Sequence, residues 1–166
     1  MQLKIRFFIV LVLLLNVLSS RAQITVLISL DGLIEGLEVE GSTFDYNNNS
    51  TRTGAGGVKK IDDVAITRYS FADPNAPGKV MSVGDTRVEY FSQSDTQFPG
   101  KISKIGDVVV EHYAITNGAF SGRVKKIGNI DIECYPMRDI QFPGKLRKIN
   151  GTDPKVKVKV AVGLRH

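Results

Sequence analysis

Two histidines, His112 and His166, and one cysteine, Cys134, are the side chains best suited to act as general base, soft metal ligand or thiolate nucleophile. Their spacing argues against that use. His112 and Cys134 stand 22 residues apart, and the same interval leads back to Tyr90 and Arg68. A position that accepts Arg, Tyr, His and Cys is being filled, and a free cysteine commonly behaves as a small buried hydrophobe. An odd thiol in an exported chain also leaves pairing between chains open. The chain has no His-Glu-x-x-His helix, no Gly-x-Ser-x-Gly elbow and no phosphate loop. Gly78-Lys79 and Gly100-Lys101 lack the following Ser or Thr and the upstream Gly, so they read as the starts of hairpins. No catalytic residue, metal site or cofactor is expected, and the chain is not expected to be an enzyme.

Three further sets of residues repeat. Asp63, Asp85, Asp107 and Asn129 fall at one position, and Glu89, Glu111 and Glu133 at another. Stacked carboxylates suit a hard cation, but calcium loops gather their oxygens within one short segment. The Asp set reads better as turn formers, and the Glu set as cross-strand partners of Lys104, Lys126 and Lys148. Tyr69, Phe91, Tyr113 and Tyr135 form an aromatic column, suited to stacking on sugar rings or to ordinary packing. Lys155, Lys157 and Lys159 form a basic tail that could meet an anionic surface. Asn48, Asn49 and Asn150 satisfy the Asn-x-Ser/Thr pattern, which matters only in a host that glycosylates there.

These sets imply the elements that carry them. Gly56, Gly78, Gly100, Gly122 and Gly144 recur every 22 residues, each opening a similar phrase. The clearest copies are Gly100–Tyr113 and Gly122–Tyr135. Gly144–Ile149 begins a fifth, and Ile34–Glu40 resembles a divergent earlier copy offset by five residues that the polar stretch Asn47–Gly57 can absorb. Within each unit, Val108 and Val110 alternate with Val109 and Glu111, and Gly106-Asp107 separates two β-branched runs. That is a hairpin signature. A loop follows the aromatic position, often closing in Phe-Pro-Gly. Ile102 and Ile105 are three apart, so a regular strand would turn them to opposite faces; either both faces are partly covered or, as the mostly polar positions between them favour, a bulge or a wider turn realigns them. The fold expected is all-β: stacked antiparallel hairpin repeats in an extended or rolled sheet, with a parallel β-solenoid as the alternative. Lys155–Val162 alternates strictly and predicts a final strand, valines inward, capping the stack.

The first 22 residues read differently. Lys4 and Arg6 precede the apolar run Phe7–Leu18, and Ser20-Arg21-Ala22 supplies small residues for cleavage after Ala22. Basic, apolar, small is the order of a secretory signal peptide, and the run is short for a membrane span. The chain then divides into 1–22 signal peptide and 23–166 single β-repeat domain: 23–55 divergent N-terminal cap, 56–151 repeats, 152–166 basic C-terminal strand. The exported part carries 19 bases and 17 acids, a balance of +2, and 145–166 alone carries +6. The high pI thus partly describes the discarded segment, and nucleic acid is not an expected partner.

The phrase Gly-Lys-Ile-x-Lys-Ile-Gly-Asp/Asn-Val/Ile-x-Val/Ile-Glu-x-Tyr, over residues 56–151, resembles the short hairpin repeats of secreted proteins found in Bacteroidetes. It is more loosely similar to the YD repeats of Rhs-type toxin shells, although the Tyr-Asp signature is lacking. The resemblance implies hairpins and export and carries over no activity. The reading that follows is an exported structural or interaction protein, periplasmic, cell-surface or secreted, presenting a repetitive β-surface. Its partner would be an envelope protein or a polysaccharide, and no transmembrane segment is expected after cleavage. A carbohydrate- or surface-ligand-binding module is the alternative, and a small secreted enzyme a remote one.

Overall fold

The computed structural model describes residues 24–39, 43–46 and 58–161. The expected signal peptide, Asn47–Asn49, Gly56 and His166 lie outside the described residues. In chain order the first strands are β1 (Ile24–Ile28), β2 (Ile34–Glu38) and β3 (Phe44–Tyr46). Four hairpins follow: β4 (Val58–Ile61) with β5 (Val64–Arg68), β6 (Val80–Val83) with β7 (Thr86–Tyr90), β8 (Ile102–Ile105) with β9 (Val108–His112), and β10 (Val124–Ile127) with β11 (Ile130–Cys134). Two single strands close the chain, β12 (Leu146–Asn150) and β13 (Val156–Val160). A short 3-10 segment, Ile115–Phe120, lies in one loop.

Strands β3 to β12 form one open ten-stranded sheet in which every strand neighbours its sequence neighbours. Each pairing in it is antiparallel, which removes the solenoid alternative. Each hairpin turns in two residues, as between Ile105 and its partner Val108. Gly84, Gly106 and Gly128 take φ of 55°, 59° and 54°, and Asp62 takes 48° at the same position in the first hairpin. Positive φ at the first central residue of a two-residue loop matches the right-handed twist of the flanking strands.

The expected bulge is present at each junction between copies. Val88 faces Ile105 and Glu89 faces Lys104, but Tyr90 faces Ile102, leaving Ser103 as the extra residue. The same slip occurs between β3 and β4, β5 and β6, β9 and β10, and β11 and β12. An inserted residue restores the facing of the strand. Val124 and Ile127, three apart, are therefore both fully buried.

The segment Ile34–Glu40 does not supply an earlier repeat copy. β2 pairs with β1 instead, and β3 is the strand that precedes the first hairpin. Phe44 faces Ile61 as Ile66 faces Val83, an unbroken 22-residue step with no five-residue offset. The tail is a strand with Val156 buried, yet it does not cap the stack. β13 joins β1 in parallel, Ile24 opposite Val156, giving a three-stranded sheet ordered β13-β1-β2. A half-buried alternating strand can dock on either sheet, so its pattern does not identify its neighbour.

The two sheets share one core. Ile24, Val26 and Ile28 of β1 and Val156 of β13 cluster with Ile105, Val108, Val110, Val124, Ile127, Ile130 and Ile132 of the long sheet. Burying each such side chain contributes about 1.5–3 kcal/mol. The small sheet thus straps one face of the long one. The opposite face carries Val109, Glu111 and Asp131, all exposed.

Candidate functional site

In three of the hairpins the last residue of the second strand bonds a nearby backbone carbonyl. The Tyr90 hydroxyl donates to the Val80 carbonyl at 3.0 Å, and His112 Nε2 donates to the Ile102 carbonyl at 2.8 Å, each on the bulged first strand of its own hairpin. Arg68 instead donates forward to the Gly78 carbonyl, in the loop before the next hairpin, at 3.3 Å. Tyr90 and His112 thus clamp the bulges of their own hairpins. Burial lowers the His112 pKa, so the imidazole is neutral with its proton on Nε2, while Nδ1 is buried without a partner. Burial raises the Tyr90 hydroxyl to about 12. Burial also pushes the Cys134 thiol up, against the lowering effect of Arg123, which keeps it protonated. Its sulfur packs against the β1–β2 turn at Gly32.

Each member of the aromatic column is half-buried. Phe91, Tyr113 and Tyr135 each lie against the phenylalanine seven residues later, with centroids 5.1, 5.3 and 5.4 Å apart. Tyr69 sets its edge on Tyr90 at 6.0 Å and donates its hydroxyl to the Val88 carbonyl at 3.1 Å. One side of each ring is therefore covered by packing. The tail lysines are partly engaged: Lys155 pairs with Asp107 at 3.0 Å and Lys159 with Glu38 at 3.2 Å, while Lys157 is exposed. Glu89, Glu111 and Glu133 stand opposite Lys104, Lys126 and Lys148 in register, but the ion pairs differ: Glu111 meets Lys125 at 3.4 Å and Lys126 meets Asp131 at 3.5 Å. Among the described residues no group of three or more His, Cys, Asp or Glu could hold a metal ion, and no helix is long and apolar enough to cross a membrane.

Three periodic features escaped the sequence reading. Asp73, Asp95 and Asp139, at the 22-residue interval, each accept two backbone N–H bonds that fold the loop, as in Gln97 and Phe98 onto Asp95 at 2.8 and 2.6 Å. Their spacing was the signal, interrupted only by Asn117. Two of the bases that follow a repeat glycine link copies: Lys79 donates to the Gly100 carbonyl and Arg123 to the Gly144 carbonyl. Finally, Phe71, Ile115 and Met137 share one loop position and are 61%, 52% and 47% exposed, with Ile140 close by in sequence at 98%. Successive hairpins are about 10 Å apart, two strand spacings. The loops therefore present a row of apolar side chains at repeat spacing, broken by Gln93.

A cleft of about 510 Å³ opens between the two sheets. Leu33, Ile34 and Leu37 form one wall; Val80, Ile102, Tyr90 and His112 form the other, with Lys79 and Lys101 at the repeat junctions. The Lys79 ammonium lies 4.9 Å from the centre of the Tyr90 ring. Burial and then repulsion from Lys101 lower its pKa. The arrangement is a ligand-sized cavity with two cations and no nucleophile, no paired carboxylates and no activated base. Compared with protein-family models, curated proteins and solved structures, the chain matches none.

Proposed function

We propose that this chain is an exported, non-catalytic interaction protein whose repeated β-surface engages a partner in the cell envelope or outside. The observation that carries the reading is the row Phe71, Ile115 and Met137, three large apolar side chains exposed at one repeat position. Single exposed apolar residues need no explanation, but their recurrence at one loop position is what a partner-facing surface would supply. A further fact supports it. The residues with the greatest chemical potential, His112, Tyr90 and Cys134, occupy one repeat position, and the first two clamp the bulges of their own hairpins.

The test is site-specific photo-crosslinking in the native host, with the probe at Ile115 or at Val109 on the far face. A discrete adduct from Ile115, lost in Phe71→Ser/Met137→Ser and absent from Val109, is expected. Equal or no adducts from both positions would refute it. A polysaccharide partner is the second reading, favoured by the half-exposed rings of Tyr69, Phe91, Tyr113 and Tyr135. Glycan-array binding that disappears in Tyr113→Ala would favour it over a protein partner.

A further inference from the structure

The two-sheet cleft is the open half of a groove whose other half the chain fills with its own β1–β2 turn. Ser29 shapes that turn: its hydroxyl accepts from the Asp31 and Leu33 amides at 3.3 and 3.1 Å, and its carbonyl from Gly32 at 3.0 Å. So held, the turn docks on the last two repeat junctions. The Val124 amide donates to the Gly32 carbonyl at 2.8 Å, and the Leu146 amide to the Leu30 carbonyl at 2.7 Å. Between those contacts, the Asp31 carboxylate meets Lys145 at 2.7 Å. The docked sequence is Leu30-Asp31-Gly32-Leu33.

Stepping back two repeats along the sheet exchanges Val124 and Leu146 for Val80 and Ile102, and Arg123 and Lys145 for Lys79 and Lys101. All four replacements line the cleft. The bulges are in the same register, so the Val80 and Ile102 amides are aimed as those of Val124 and Leu146 are. No carboxylate among the described residues lies within salt-bridge distance of Lys79 or Lys101, whereas Lys145 has Asp31. One carboxylate, Glu35, is exposed in the lining.

We propose that this cleft binds an acidic peptide segment, an aspartate or glutamate between apolar residues, in the manner of the chain's own Leu30–Leu33 turn. The ligand's carbonyls would accept from the Val80 and Ile102 amides. Its carboxylate would pair with Lys101 and Lys79, and its apolar side chains would rest on Leu33, Leu37 and Ile102. Placing an anion there also offsets the repulsion between the two lysines. This proposal concerns a different surface from the loop row, and the two fail independently.

The experiment is calorimetric titration of residues 23–166 with acetyl-Ser-Leu-Asp-Gly-Leu-Ile-amide, and with the same peptide carrying Asn for Asp. The acidic peptide is expected to bind at least tenfold more tightly than the Asn peptide. Lys101→Gln should erase that difference, and Glu35→Gln should tighten binding severalfold. Lys157→Gln, outside the cleft, controls for general loss of positive charge and should change nothing. No binding at millimolar peptide, equal binding of the two peptides, or an unchanged preference in Lys101→Gln would overturn the proposal. Dodecanoate competing more tightly than the peptide would overturn it in favour of a lipid carboxylate.

Discussion

Three consecutive valines in β9 give the sharpest check on which face of the long sheet is covered. Val108 and Val110 are 4% and 2% exposed beneath the strap, and Val109 between them is 49% exposed on the far face. Truncation to alanine removes roughly 0.8 kcal/mol per methylene-sized group, plus a cavity contribution wherever neighbours cannot collapse. Val108→Ala and Val110→Ala should each cost about 2–3 kcal/mol. Val109→Ala keeps its half-wet surroundings and leaves no cavity, so about 0.5 kcal/mol is expected, within the spread of strand preference. For a chain of this size 1 kcal/mol moves the midpoint by about 4 °C. The outer pair should thus melt about 8–12 °C early and the middle variant within about 2 °C of wild type. Urea and thermal melts of residues 23–166, followed by far-ultraviolet circular dichroism, measure this directly. A Val109→Ala loss equal to that of Val108→Ala would mean both faces are covered. A Val110→Ala loss below about 1 kcal/mol would mean the strap does not close over the hairpins in solution.

Three other expectations are more local. Because burial lowers the folded-state pKa of His112, its contribution is complete above the unfolded value near 6.5 and is lost as pH falls through that value toward the folded one. His112→Gln should therefore flatten the drop in melting temperature between pH 7 and pH 5, and an unchanged drop would count against a neutral buried imidazole. Gly84→Ala meets only Val64 Cγ1, at 3.6 Å, so its cost of about 1–2 kcal/mol should come from the positive φ alone. Gly128→Ala would also press its Cβ against Asp153 Oδ2 and bring it to 2.9 Å from Val108 Cγ1, so it should be clearly the worse of the two in the same melts. Asp95→Ala removes the acceptor for the Gln97 and Phe98 amides and should cost about 1 kcal/mol, with faster hydrogen exchange confined to that loop.

Much of the long sheet was legible because its rules are local. A 22-residue step and a two-residue turn needing positive φ favoured hairpins over a solenoid, and Ile102 three residues before Ile105 favoured a bulge or a wider turn. The strap was not legible. Val156–Val160 alternates as any one-sided strand does, and nothing in that alternation names Ile24–Ile28 as its neighbour. Ile34–Glu38 mimics a second repeat strand in pattern, while the true one, Phe44–Tyr46, is too short to announce itself. The cleft was beyond reach for the same reason, since it exists only between two sheets whose contact is non-local. The clamping role of Tyr90 and His112 was half visible: their shared position said that they were structural, but the bond each makes across its bulge required coordinates.

The parallel pairing of Ile24 with Val156 has a consequence for how the chain is completed. Hairpins assemble from neighbours in sequence and can form one after another as synthesis proceeds. β1 cannot behave that way, because the strand that flanks it, β13, is made only after all four hairpins. Until β13 arrives, β1 has an open edge beside Ile24, Val26 and Ile28, the kind of edge that recruits other chains. A chain cut before Val156 would therefore keep its hairpins and still present its first strand as a seed for aggregation.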